Sequence, residues 1–222
     1  MKFTKSTSLA PFVQVILLLT LFWPSLLSAH PHSWINLKTE FIMDDHGRLS
    51  GLTQHWEFDV YYSMMTYADM MNDYGDEQKG LLKLGQGMVN SLKGYAYFST
   101  LELNGHLIQL DTPYDQTLRI TYPKGQQTLT LTMHFELSKA QVVENKTLSF
   151  RVFDPSYYID MRHYTASQVI IHTKNATECS STVTLPEPPD ELVEYAASLD
   201  KTQKDTTGLG DKFAEKVTIH CL

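Results

Sequence analysis

The segment SWINLKTEFIMDDHGRLSGLTQHWEFDV, Ser33 to Val60, decides the fold. In its first half Ser33, Ile35, Leu37 and Phe41 share one parity. Trp34, Asn36, Lys38 and Glu40, preceded by His32, share the other. Such alternation marks a strand with one buried face. Asp44-Asp45-His46-Gly47 is a turn signal. Beyond it Leu52, Trp56, Phe58 and Val60 alternate with Thr53, His55, Glu57 and Asp59, which makes a second strand and so a β-hairpin.

Burial constrains the register. Opposed residues share a face, and both apolar sets must meet one core, so paired residue numbers sum to an odd value. A two-residue turn at His46-Gly47 pairs Asp45 with Arg48 and sets Trp34 opposite Asp59. A four-residue loop pairs Met43 with Arg48 and sets His32 opposite Asp59 and Trp34 opposite Glu57. Either register puts His30, His32, His55, Glu57 and Asp59 on the polar face, with His30, His32 and Asp59 at the hairpin's open end. A carboxylate beside two imidazoles is a donor set that zinc accepts. The competing reading is a solvated strand face.

Downstream, Tyr61 to Met71 and Gln78 to Leu92 carry helical spacing, so a helix–loop–helix insertion is expected over about 61–92. The acidic run Asn72 to Glu77 between them lacks the alternating oxygen ligands of a calcium loop. Met64, Met65, Met70 and Met71 suit Cu(I), but core or partner-facing methionines are the commoner use. Strands are expected again at Tyr95–Leu103, His106–Leu110, Leu118–Tyr122, Thr128–Leu137, Thr147–Phe153 and Gln168–Thr173. Asn104-Gly105 and Pro123-Lys124-Gly125 supply the turns. His106, His134 and His172 read as isolated sheet or surface residues. After Pro186-Glu187-Pro188-Pro189, Asp190 caps a short helix to Leu199, a polar linker leads to Phe213, and Glu215–Cys221 closes the chain as a strand. The expected architecture is mainly β (α+β), an antiparallel sandwich-like domain with a helical insertion and a short C-terminal helix.

Upstream, Lys2 and Lys5, the apolar run Val13 to Trp23 and the small-residue ending Leu27-Ser28-Ala29 read as a cleaved signal peptide over residues 1–29. The run is too short to span a bilayer well, so no stable membrane insertion of the mature chain is expected. Residues 30–222 then form one domain that begins at His30. A free α-amine, its own imidazole and His32 would place nitrogen donors within three residues, suiting Zn, Cu or Ni. Pro31 has no amide N–H, which prevents square-planar chelation through deprotonated backbone amides. The competing reading is a frayed terminus.

The whole chain carries a formal charge of −7, and losing two leader lysines makes it more acidic. That excludes a basic nucleic-acid footprint. Cys179 and Cys221 are the two cysteines, read as a disulfide in an exported chain. A further chemical stretch, Phe153-Asp154-Pro155-Ser156-Tyr157-Tyr158-Ile159-Asp160, could bring Asp154 to the open end as an oxygen ligand or as the group that orients a histidine. The simpler reading is a turn-making Asp-Pro.

His30-Pro31-His32, Trp56-Glu57-Phe58-Asp59, Asp154-Pro155-Ser156-Tyr157-Tyr158-Ile159-Asp160, the C-terminal cysteine pair and Ser198-Leu199-Asp200 occur in the order of a known family. On them the chain resembles the bacterial domain-of-unknown-function 1007 family. Its ZevA-like members are described as the periplasmic component of an uncharacterised ABC-type transport system. The resemblance covers essentially the whole mature chain. It implies a soluble periplasmic accessory protein beside an inner-membrane permease of the nickel/cobalt type, with zinc as the metal. Many relatives carry a clearer Asp-rich loop between the two helices, and Asn72–Glu77 is a degenerate version of it.

Three classes of function follow. The first is a non-catalytic metal-binding accessory protein holding Zn, or Ni, Co or Cu, through His30, His32 and Asp59, with His55, Glu57 and Asp154 as further candidates. The second is an N-terminal-histidine copper enzyme drawing a second histidine such as His134 or His163. The third is an interaction module that docks its helical insertion on a transporter.

Overall fold

The structure is a computed structural model that describes residues 31–173, 178–199 and 208–222. The leader, its cleavage point, His30, Asp200 and most of the polar linker lie outside the described residues. Strand β1 (Ser33–Met43) and β2 (Arg48–Phe58) form the expected hairpin. Ile35 pairs with Phe58, Leu37 with Trp56 and Phe41 with Leu52, the odd-sum register of the two-residue turn. A bulge between Ile42 and Met43 shifts the pairing by one beside the turn.

Val60 does not continue β2. Asp59 ends the strand and caps helix α1 (Val60–Tyr74), its side chain accepting from the Tyr62 amide. The acidic run is a helix junction. Gly75 takes the left-handed C-cap position that favours glycine, and Asp76 caps α2 (Glu77–Leu92) through the Lys79 amide.

Nine further strands follow: β3 (Ser99–Leu103), β4 (His106–Ile108), β5 (Asp115–Thr121), β6 (Thr128–Val142), β7 (Thr147–Val152), β8 (Ile159–Arg162), β9 (Val169–His172), β10 (Cys179–Thr184) and β11 (Lys216–Cys221). Helices α3 (Asp190–Ser198) and α4 (Leu209–Phe213) lie between the last two strands. The strand expected from Tyr95 starts only at Ser99. Before it Ala96, Tyr97 and Phe98 turn left-handed, which stacks Phe98 over Trp56 and sets Tyr97 edge-on to Phe135. Asp190 is the first helical residue rather than the cap, which is Pro189.

One sheet runs β5-β6-β2-β1, with β8 and then β9 on the far edge of β1. The other runs β10-β11-β7-β3-β4. All pairs are antiparallel except β8 and β9, which lie parallel to β1. The sheets meet over Leu37, Phe41, Leu49, Leu52, Leu101, Met133, Leu148, Phe150 and Ile219, with Phe41 edge-on to Phe150 at 5.5 Å. Around Ile35, Trp56, Phe58 and Leu131 the apolar face of the first sheet is covered instead by Tyr62 of α1 and Leu84, Met88 and Leu92 of α2. The Cys179–Cys221 disulfide joins directly opposed residues of β10 and β11. Among the described residues no helix is long and apolar enough to cross a membrane.

The residues between β8 and β9 turn His163 inward, where it is buried. Its Nδ1 and backbone amide both meet Glu215 Oε1, and its Nε2 lies 2.9 Å from the Thr39 hydroxyl. With Nδ1–H donated to the carboxylate, Nε2 accepts from Thr39. This network ties β1, the β8–β9 connection and the start of β11. Truncation of one partner in a buried pair costs about 3–5 kcal/mol because the other is left uncompensated. Urea unfolding of Glu215→Ala should show a loss of that size, and an unchanged midpoint would refute the network's role.

Helix α4 approaches the Asp154 turn so closely that a Cβ on Gly210 would sit 1.8 Å from the Asp154 carbonyl oxygen. Gly210→Ala therefore forces backbone apart and should destabilise by about 1–3 kcal/mol. The same unfolding assay checks it, with a wild-type midpoint as the contrary result.

Candidate functional site

The outer, polar face of the first sheet carries the chain's clustered chemistry, because even positions of β1 and the odd positions Thr53, His55 and Glu57 of β2 point away from the core. Glu40 is its hub. One of its oxygens, Oε1, lies 2.6 Å from Lys38 Nζ and 3.2 Å from His55 Nε2. The other, Oε2, lies 2.7 Å from His172 Nε2. The other nitrogen of His55 is 2.9 Å from the Thr132 hydroxyl, which fixes the ring across β2 and β6. A second imidazole on β6, His134, is held 2.9 Å from the Thr53 hydroxyl. Burial opposes ionisation of Glu40, yet hydrogen bonds from Lys38 and His172 and the nearby Lys38 and His55 charges bring its carboxyl down to about 2. Burial holds His55 below its ordinary value near 6.5, with the Glu40 charge pulling the other way. Both ring nitrogens of His55, Nδ1 and Nε2, are thus held by a neighbour.

At the hairpin's open end the predicted ligands are engaged within the protein. Asp59 accepts the Tyr62 amide at Oδ1, and the Ser33 hydroxyl (2.7 Å) and Trp34 amide (3.2 Å) at Oδ2. Its own amide donates to the Trp34 carbonyl, the pairing set by the two-residue turn. His32 donates its amide to the Tyr158 carbonyl, and the two rings lie 4.7 Å apart. The stretch Asp154–Ile159 thus does meet the open end, but through its backbone. The Asp154 carboxylate is buried and accepts the amides of Ser156, Tyr158 and Ile159 and the Ser156 hydroxyl. That acceptance holds Tyr157 at φ +56, stacked 4.0 Å from Phe213. Among the described residues the Glu57 carboxylate accepts one hydrogen bond, from the Asn36 side-chain amide at 3.5 Å, and Asn36 in turn accepts from Gln168. Glu57, Asn36 and Gln168 line a groove of about 570 Å³ with Trp34, Tyr164 and Lys124.

Among the described residues no three His, Cys, Asp or Glu side chains are placed to surround an ion. The reason is visible: Asp154 is enclosed by amide donors, Asp59 is held by two amides and a hydroxyl, and Lys38 and two imidazoles hold Glu40. His163, a candidate second histidine for a copper enzyme, is buried against Glu215. The participants that sequence reasoning missed are Glu40 and His172. They are 132 residues apart and meet only because β9 pairs with β1. Their one legible signal is parity, which puts Glu40 on the same face as His55.

Residues 15–221 match the family described as "Protein of unknown function (DUF1007)". The chain is 30% identical over 216 residues to an uncharacterised protein of Haemophilus influenzae, covering 92% of this chain and 97% of that one. No solved structure matches the chain.

Glu40 generates a pH prediction. Its carboxyl is lowered on folding, so the stability it contributes is complete above its ordinary value near 4.5 and is lost as pH falls toward 2. Thermal unfolding followed from about pH 5 to pH 2 should fall less steeply for Glu40→Gln than for wild type. Parallel curves would remove Glu40 from its place as the charged hub.

Proposed function

The chain belongs to the DUF1007 family, and from that premise we propose an exported, non-catalytic accessory protein that binds a divalent transition metal in the periplasm and works beside an inner-membrane permease of the nickel/cobalt type. The supporting observation is the convergence of His55 and His172 on Glu40, with Thr132 orienting the His55 ring. Two imidazole nitrogens and a carboxylate suit zinc first and nickel, cobalt or copper next. An outer group holding the second ring nitrogen is the usual accompaniment of a ligating histidine. In the state described, Lys38 and the imidazoles hold the carboxylate. Cargo would exchange with those partners, which makes binding reversible and proton-sensitive. His30 and His32 remain the second donor pair at the chain end this reading exposes.

Titration calorimetry with Zn²⁺ on the processed chain tests it. Glu40→Gln and the His55→Ala/His172→Ala double variant should each lose affinity by at least tenfold, and Thr132→Val by about 10–100-fold. If only His30→Ala/His32→Ala weakens binding, the chain end is the site and the sheet face is not. Unchanged affinity in every variant defeats the metal reading.

A further inference from the structure

The groove beside Trp34 has a chemistry that neither the fold nor the metal reading uses. Its floor is Glu57, a half-buried carboxylate whose single hydrogen bond among the described residues is the 3.5 Å approach of Asn36. A carboxylate can accept several strong hydrogen bonds, so Glu57 is underserved. Trp34 and Tyr164, 45% and 63% exposed, flank it with aromatic faces. The Tyr164 hydroxyl is pushed up first by burial, then by Asp160, with Asp59 and Glu57 adding to it and Arg162 opposing. Asp160, Asp59 and Glu57 thus all bear electrostatically on this phenol. Of these, Asp160 is paired with Arg162 at 2.8 Å and Asp59 already accepts three hydrogen bonds, which leaves Glu57 as the carboxylate with the most unused acceptor capacity.

The groove wall continues into a helix face. Val60 lines the groove and opens α1, and Tyr61, Met64 and Met65 follow at helical spacing, 71%, 58% and 47% exposed. Methionines in such a stripe can repack around apolar side chains of differing shape. Lys124 stands on the rim turn. A bare small cation would be repelled by it, whereas a peptide can offer it a carbonyl.

We propose that this surface docks a basic, partly apolar segment of a protein partner. A guanidinium or ammonium side chain of that segment sits between Trp34 and Tyr164 on Glu57, and its apolar residues lie along Tyr61, Met64 and Met65. Charge complementarity selects this occupant: the chain is acidic overall and the groove joins an underserved carboxylate to two aromatic faces that favour a cation. The proposal is independent of metal binding, since none of these residues belongs to the Glu40 cluster.

The test is fluorescence polarisation of a labelled, end-blocked peptide of leucines and two arginines against the metal-free processed chain. Saturable binding is expected, falling with ionic strength. Glu57→Gln and Trp34→Ala should each weaken it about tenfold or more. Met64→Ser should weaken the peptide while leaving competition by arginine amide unchanged. Equal binding of a peptide with glutamines in place of arginines would overturn the cation assignment. So would indifference to both Glu57→Gln and Trp34→Ala. Arginine amide competing as well as the whole peptide would overturn the docked segment and leave a small-molecule pocket.

Discussion

Everything on the working face depends on the pairing of β1 with β2 in a register where Ile35 meets Phe58. Strand side chains alternate with a period of two, so a slip of one residue would carry Ile35, Leu37 and Phe41 into water and bury Lys38 and Glu40. Burial of three large apolar side chains, Leu37 and Phe41 against the second sheet and Ile35 under the helices, holds the register at about 1.5–3 kcal/mol for each. Asp59 then fastens the end of the ladder. One carboxylate joins the Ser33 hydroxyl, the Trp34 amide and the first turn of α1, and so couples strand register to the start of the insertion. This explains why a residue that reads as a metal donor serves as a rivet: three of its roughly four acceptor sites are used to cap a helix and hold a strand.

The second organising element is the edge of β1. Two short strands run parallel to it, separated by a connection that carries His163 into the interior. A buried imidazole there would be costly if left alone. Glu215 and Thr39 satisfy both ring nitrogens, and the three partners come from distant parts of the chain. Close by, the Asp154 carboxylate keeps Tyr157 in a left-handed conformation that costs an aromatic residue on the order of 1–3 kcal/mol. The return is a stacked contact with Phe213 that anchors α4, together with an approach only glycine at position 210 permits. The C-terminal third is thus held by polar and steric complementarity as much as by the main core.

On the outer face the same strand pairing gathers charge. Glu40 stays ionised although partly buried because a lysine and two histidines from three strands surround it. Such a cluster stores ligand-grade nitrogens beside a carboxylate in a form occupied by its own neighbours. At the open end of the same hairpin the composition changes to exposed aromatic rings beside the carboxylates of Glu57 and Asp59. One side of one sheet therefore presents two chemically different surfaces, separated along the strands.

Much of this was legible before any coordinates. Parity alone assigned most of the buried and exposed sets of β1 and β2 and left two registers, of which the one pairing Ile35 with Phe58 is observed, with a bulge beside the turn. Amphipathic spacing located both helices, and Asn104-Gly105 located a hairpin. Strands β8 and β10 escaped notice because they are short and lack strong alternation. Helix α4 escaped because it is five residues long. The left-handed run Ala96–Phe98 escaped because none of those residues favours that conformation locally. What the sequence by itself determined is which side chains face water and which face the core, since that depends only on alternation within a single strand. What only the tertiary structure decided is which carboxylates are engaged and which imidazoles converge: Asp59 is held by Ser33, Trp34 and Tyr62, Asp154 is enclosed by nearby amides, and Glu40 meets His172 through a strand pairing that no local pattern encodes.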